Sequence, residues 1–224
     1  MPWLQQAVNW PARKDLFRRP RDPQVLALYT ATAGLGICAL LVQDTIVTGY
    51  PHVQGGNVWT VRVREIVEWY DKLQAQVVGE CEGQEISFFD VGYYRSRGEY
   101  QAGETRRFRV NALAYEVEVA PSSSVPATWE SLAGLVRDEQ THDIDDFRLS
   151  GTIKESSNTH SLGVAVVACQ VTPAVDLPLV WVYSARRNIQ GAPSGGLLGL
   201  FGRGPSLAGQ GLTATVWLQG YLTK

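Results

Sequence analysis

Histidine and cysteine each occur three times and methionine once in 224 residues, and these shortages remove several function classes together. His52, His142 and His160 form no His-x-x-x-His pair for a metal. No Gly-x-Ser-x-Gly nucleophile elbow occurs, and no glycine-rich loop ends in the Gly-Lys-Ser/Thr of a phosphate cradle. Cys38, Cys81 and Cys169 are odd in number and widely spaced, which excludes a disulfide framework and a zinc site. Each sits in an apolar or alternating stretch, so the expectation is buried thiols in a reducing, cytoplasmic setting. An excess of one charge is missing too: 20 Lys and Arg face 22 Asp and Glu. A surface that is basic throughout is excluded, so any nucleic-acid footprint must be a local patch. The expectation is a non-enzyme with no catalytic residues, no metal and no cofactor.

Residues 25–42 are eighteen residues without a charge, behind a segment carrying Arg13, Lys14, Arg18, Arg19 and Arg21. A membrane-spanning helix needs about 20 apolar residues with positive flanks. Tyr29, Thr30, Thr32, Gly34 and Gly36 weaken both helicity and hydrophobicity here. A helix-then-strand core element is the favoured reading, and a single-pass membrane anchor through 25–42 is the less favoured one.

Glycine and proline are plentiful, 22 and 11, and they punctuate short alternating segments rather than long helices. An internal repeat organises those segments. Ala102-Gly103-Glu104, Val110 and Tyr115 match Ala208-Gly209-Gln210, Val216 and Tyr221 at an offset of 106. Upstream, Arg62-Val63 with Val67-Glu68 matches Arg148-Leu149 with Ile153-Lys154, and 86–89 matches 177–180. Offsets of 86, 91 and 106 rise in order, as in a duplication whose second copy has different loops.

In the first copy Val61 and Val63 alternate with Arg62 and Arg64, the period of a half-buried strand. Further strands begin at Ala75, Ile86 and Phe108, and the last must bend near Ala114-Tyr115 to continue through Val119. The second copy predicts strands over 147–155, 163–171, 177–183 and 212–222, with a hairpin turn at Ser156 to Thr159. Ser122 to Ser124 read as a linker. Trp129, Leu132, Ala133 and Val136 share one face at helical spacing, which predicts a linker helix. The expected fold is mainly β: two tandem small OB-like (or SH3-like) barrels with a short N-terminal α/β segment and one linker helix. The corresponding divisions are 1–56, 57–120, 121–145 and 146–224.

The second copy carries a mid-strand glycine, Gly151, and closes on Trp217-Leu218-Gln219-Gly220. It resembles uncharacterised bacterial proteins with OB-like β-barrels ending in such a run. That resemblance covers about the last 75 residues and implies a fold, with no activity attached. The first copy departs from it, having little room for a helix between its third and fourth strands.

Two segments are candidate binding sites. Tyr93, Tyr94, Arg95, Arg97 and Tyr100, followed by Arg106, Arg107 and Arg109, interleave aromatics with guanidiniums. Single-stranded nucleic acid needs that combination, cations for phosphates and rings for bases; the alternative is that the tyrosines cap a barrel. Leu197, Leu198, Leu200 and Phe201 on a glycine-rich loop are costly to leave in water. They favour a protein partner or self-association, with burial against the chain's own core as the alternative. The expected function is a non-catalytic binding or scaffold protein acting through that contact, with OB-type single-stranded nucleic-acid binding as the alternative. Asp138-Glu139, His142-Asp143 and Asp145-Asp146 read as a solvated acidic linker rather than a calcium loop.

Overall fold

The computed structural model describes residues 13–17, 25–32, 35–42, 45–137, 140–141, 143–161, 163–173, 176–191 and 206–223. Among them the chain forms sixteen strands and one turn of α-helix, and it divides into two units: Met1–Gln54 with His160–Gly163, and Gly55–Thr159 with Val164–Lys224.

The first unit is an antiparallel sheet of β1 (Arg13–Phe17), β2 (Val25–Thr32), β3 (Leu35–Val42) and β4 (Thr45–Val53), in that order. The 25–42 run is thus a pair of strands, where a helix followed by a strand was expected. Its threonines and glycines disfavour helix, and its apolar residues satisfy their backbone across β2–β3, from Val25 opposite Val42 to Thr32 opposite Leu35. Cys38, Ala39 and Leu40 are fully buried. The Ser161 hydroxyl donates to the Leu35 carbonyl at 2.5 Å. No helix among the described residues is long and apolar enough to cross a membrane.

The second unit begins with β5 (Asn57–Glu68), β6 (Ala75–Cys81) and β7 (Gln84–Asp90), then α1 (Tyr93–Ser96) and the long β8 (Thr105–Pro121). Next come β9 (Thr128–Ser131), β10 (Val136–Arg137), β11 (Gln140–Thr141), β12 (Asp146–Ser161), β13 (Val164–Thr172), β14 (Val180–Ala185), β15 (Ile189–Gln190) and β16 (Gln210–Leu222). The α-helical turn falls between the third and fourth strands of the first copy, where the sequence suggested little room.

The organising feature is one antiparallel ribbon of β8 and β16, paired from Phe108 opposite Leu222 to Pro121 opposite Gln210. The outer edge of β8 changes partner along its length. Residues 105–110 pair with β5, 111–113 run parallel to β14, and 117–118 run parallel to β15. The outer edge of β16 does the same, pairing with β12 over 211–217 and with β7 at 219–220. With the β5–β6, β6–β7, β12–β13 and β13–β14 pairings, two closed circuits result: β5–β6–β7–β16–β8 and β12–β13–β14–β8–β16. Each long strand therefore serves both circuits, and one hydrophobic core spans them, from Trp59 and Phe108 to Leu149 and Val171.

The predicted bend is a bulge. Thr215 opposes Glu116 and Val216 opposes Ala114, so Tyr115 is the extra residue. The bulge has a packing reason. Phe108, Val110 and Ala112 point inward before it and Val117 and Val119 after it; without the extra residue the last two would face water.

The repeat survives with different offsets upstream. Trp59 opposes Phe108 and Leu149 opposes Ala214, so the 106-residue relation of β8 to β16 aligns β5 with β12 at 90 rather than 86. Phe89 opposes Gln219 and Tyr183 opposes Leu113, which gives 94 rather than 91 for the third strands. Two further expectations are corrected. Residues 128–131 are an edge strand, where a linker helix was expected: Gly134 takes a left-handed φ of 75°, and Trp129 pairs with Leu149 and stacks on Phe147 at 4.6 Å. Ser156 to Thr159 continue β12 instead of turning, and left-handed Gly163 (φ 77°) precedes β13.

Candidate functional site

The aromatic–arginine segment separates into a buried part and an exposed part. Asp90 ends β7, and the chain turns through Gly92 into α1 before returning through left-handed Gly98 and Gly103 to β8. Tyr93, Tyr94 and Tyr100 are all buried, with Tyr100 packed edge-on against Phe108 at 5.2 Å. The hydroxyls of Tyr93 and Tyr100 face carboxylates. Tyr100 Oη donates to Asp90 Oδ2 at 2.7 Å, joined by Gly92 N at 2.8 Å and Ser96 Oγ at 3.2 Å. Tyr93 Oη donates to Glu68, which also accepts Arg97 Nε at 3.0 Å. The Arg95 guanidinium lies 5.8 Å from the Tyr94 ring centre.

The electrostatics follow from that burial. Desolvation pushes the Asp90 carboxyl up to about 6 against the pull of its three donors. Burial and the neighbouring Glu68 push Tyr93 up to about 12, and the Tyr93 hydrogen bond in turn lowers Glu68. These tyrosines hold α1 against the core and offer no open ring for a base to stack on.

The arginines of β8 behave differently. Arg106 Nη2 pairs with Glu104 at 3.0 Å. Arg107 and Arg109 are exposed, and Arg109 Nη1 donates to the Gly56 carbonyl at 3.0 Å. In the β5–β8 register Thr60 opposes Arg107, Val58 opposes Arg109 and Arg62 opposes Thr105. Opposed residues share a face, so Arg62, Arg107 and Arg109 stand together on the outside, back to back with Trp59, Val61, Phe108 and Val110. None of the three enters an ion pair among the described residues. Tyr221 of β16 lies directly beside Arg109. Arg62 is the member that sequence reasoning did not assign to the site. Its outward direction was legible from the Val61-Arg62-Val63 alternation, but its neighbour across the sheet was not.

Other candidates fall elsewhere. Leu197, Leu198, Leu200 and Phe201 lie outside the described residues, as do Asp138, Glu139 and His142. Asp145 and Asp146 are buried and so do not belong to a solvated linker. Trp217 Nε1 donates to Asp145 at 2.7 Å and Tyr115 Oη to Asp146 at 3.2 Å, tying the start of β12 to the ribbon. Desolvation raises Asp145 to about 6. Among the described residues no group of His, Cys, Asp and Glu has the arrangement of a metal site. At the β5–β6 turn Trp69 leans on Phe89 at 5.7 Å while the adjacent Tyr70 is fully exposed. No family model, no curated protein and no solved structure matches the chain.

Proposed function

We propose that the chain is a non-catalytic binding protein that holds single-stranded nucleic acid on the outward face of β5 and β8. The observation that carries this reading is the grouping of Arg62, Arg107 and Arg109, exposed and outside any described ion pair, in a chain whose net charge is −2. Guanidiniums pair with phosphate oxygens through fixed two-pronged donors, and three on one face make a local cationic track. The exposed Thr60 beside Arg107 adds a hydroxyl donor.

The same reading takes the two strand circuits as small OB-like barrels fused through a shared ribbon. The order β5–β6–β7–β16–β8, with β7 parallel to β16 and a helical turn between β7 and β8, supports it. OB barrels present nucleic acids with one sheet face and its flanking loops. The buried, unbridged Cys38, Cys81 and Cys169 support a reducing, cytoplasmic setting.

The test is fluorescence anisotropy of a labelled mixed-sequence single strand at two salt concentrations. About three phosphate contacts give a log–log salt slope near −2, so a fourfold rise in salt weakens binding about 20-fold. Absence of binding at low salt retires the reading. A second reading, contact with a protein partner or another copy of the chain, is favoured by Tyr70, fully exposed beside Trp69 on a hairpin tip. Tyr70→Ser then weakens self-association in sedimentation while leaving nucleic-acid binding unchanged.

A further inference from the structure

At the other end of the ribbon the outward face carries a cleft of about 260 Å³, lined among others by Glu116, Glu118, Arg148, Gln190, Thr213 and Thr215. The register orders these side chains into two walls and a floor. Glu116 opposes Thr215 and Glu118 opposes Thr213 across the ribbon, while Arg148 of β12 opposes Thr215 from the other edge of β16. Gln190 of β15 stands in register with Glu118 and extends the acidic wall. The floor is low because the β16 threonines are short. Val125 and Ser122 pack over Gly211 one step further along β16, where an added Cβ would lie 2.6 Å from Val125.

The walls are two strand spacings apart, about 10 Å between backbones. Glu118 and Arg148 are exposed, and neither is in an ion pair among the described residues. Opposite charges facing each other across a hydroxyl-lined trough match a ligand that carries both charges itself. A single amino acid spans about 3.5 Å and reaches one wall, whereas two residues span about 7 Å.

We infer that this cleft binds a small zwitterion of dipeptide length, with its ammonium on Glu118 and its carboxylate on Arg148. The Thr213 and Thr215 hydroxyls lie under the peptide unit and can donate to its carbonyl or accept from its N–H. The arginine face is not involved, so this site stands or falls independently of nucleic-acid binding.

The experiment is a two-dimensional amide NMR titration of the full-length protein with alanyl-alanine, its N-acetyl form and its C-terminal amide. The expected result is a saturable shift confined to 116–118, 148, 190 and 213–215. Capping either end should weaken binding more than 10-fold, each lost charge contact being worth about 1.4 kcal/mol or more. In Arg148→Gln the free acid and the amide should bind alike, and in Glu118→Gln the N-acetyl and free forms should converge, with the rest of the spectrum unchanged. No saturable shift up to about 20 mM dipeptide, a level that still detects millimolar affinity, overturns the inference. So does a doubly capped dipeptide that binds as well as the free one.

Discussion

The two ends of the β8–β16 ribbon are built alike inside and differently outside. Through the 106-residue relation, Phe108 and Val110 at the first end correspond to Ala214 and Val216 at the second, and all four are buried. On the outward face the same relation sets Arg107 against Thr213 and Arg109 against Thr215. The first end is therefore a cationic ridge. The second is a hydroxyl-floored trough with Glu116, Glu118 and Arg148 at its sides. Inward positions must fill a shared core at close-packed density, so their chemistry is constrained. Outward positions carry no packing penalty, and that is where the two ends differ in charge and side-chain length.

The largest effect should come from asking whether the ends are separable. A Cβ at Gly151 would lie 1.9 Å from the Thr172 carbonyl oxygen, a backbone clash at the second end. Gly151→Val is expected to cost more than about 4 kcal/mol. Because both long strands serve both circuits, amide exchange should show protection lost in β5–β7 as well as in β12–β14. Retained protection at the first end would mean two independent folding units.

Next is the contrast in charge. Replacing Arg62, Arg107 and Arg109 by glutamate should lower single-strand affinity at least about 100-fold at low salt and remove its salt dependence. Arg148→Glu at the second end should change it less than about threefold, since a lone charge two strands over and seven residues along the ribbon from Arg109 is largely screened. Equal losses from both changes would show that attraction is diffuse rather than sited on the ridge.

Acid stability comes third. Asp90 and Asp145 are both raised to about 6, chiefly by desolvation. An unfolded aspartate releases its proton near 3.9, so between roughly pH 4 and 6 the folded chain holds protons that the unfolded chain has lost. Stability then falls as pH rises through that window and levels off above it, by on the order of 2–3 kcal/mol per carboxyl. Urea denaturation at pH 4.5 and pH 7 measures the difference, and Asp90→Asn should remove about half of it.

The smallest effect separates the two tyrosine–aspartate contacts. Tyr100→Phe breaks a buried 2.7 Å hydrogen bond to Asp90 and should cost about 1.5–3 kcal/mol at pH 7. Tyr115 is half exposed and 3.2 Å from Asp146, so Tyr115→Phe should cost under about 0.5 kcal/mol. Thermal melts of the two variants at pH 7 give the comparison directly.

Much of this molecule was legible from residue order. Alternation at Val61 to Arg64 marked a strand and its inward face, the glycines and prolines marked turns, and the need to keep Val117 and Val119 inside called for a bend near Tyr115. The linker helix failed because a spacing of three and four over eight residues weighed less than the left-handed Gly134 and the open edge of β12 that Trp129 could join. The repeat was visible but mis-set upstream, by four residues in the first strands and by three in the third. A slip of four leaves every alternating side chain on its own face, so the pattern of the first strands does not resist it.

Local propensity and alternation therefore determined which segments are strands and which side chains face the core, because those preferences act within a few residues along the chain. Which strand borders which was decided only in three dimensions. The exchange of partners along β8 and β16, the arrival of Arg62 beside Arg107, and the placing of Glu116 and Arg148 on either side of Thr215 all depend on pairings between residues from 43 to more than 100 positions apart. Such pairings are selected by the burial of one continuous core, and that selection leaves no periodic trace in the sequence.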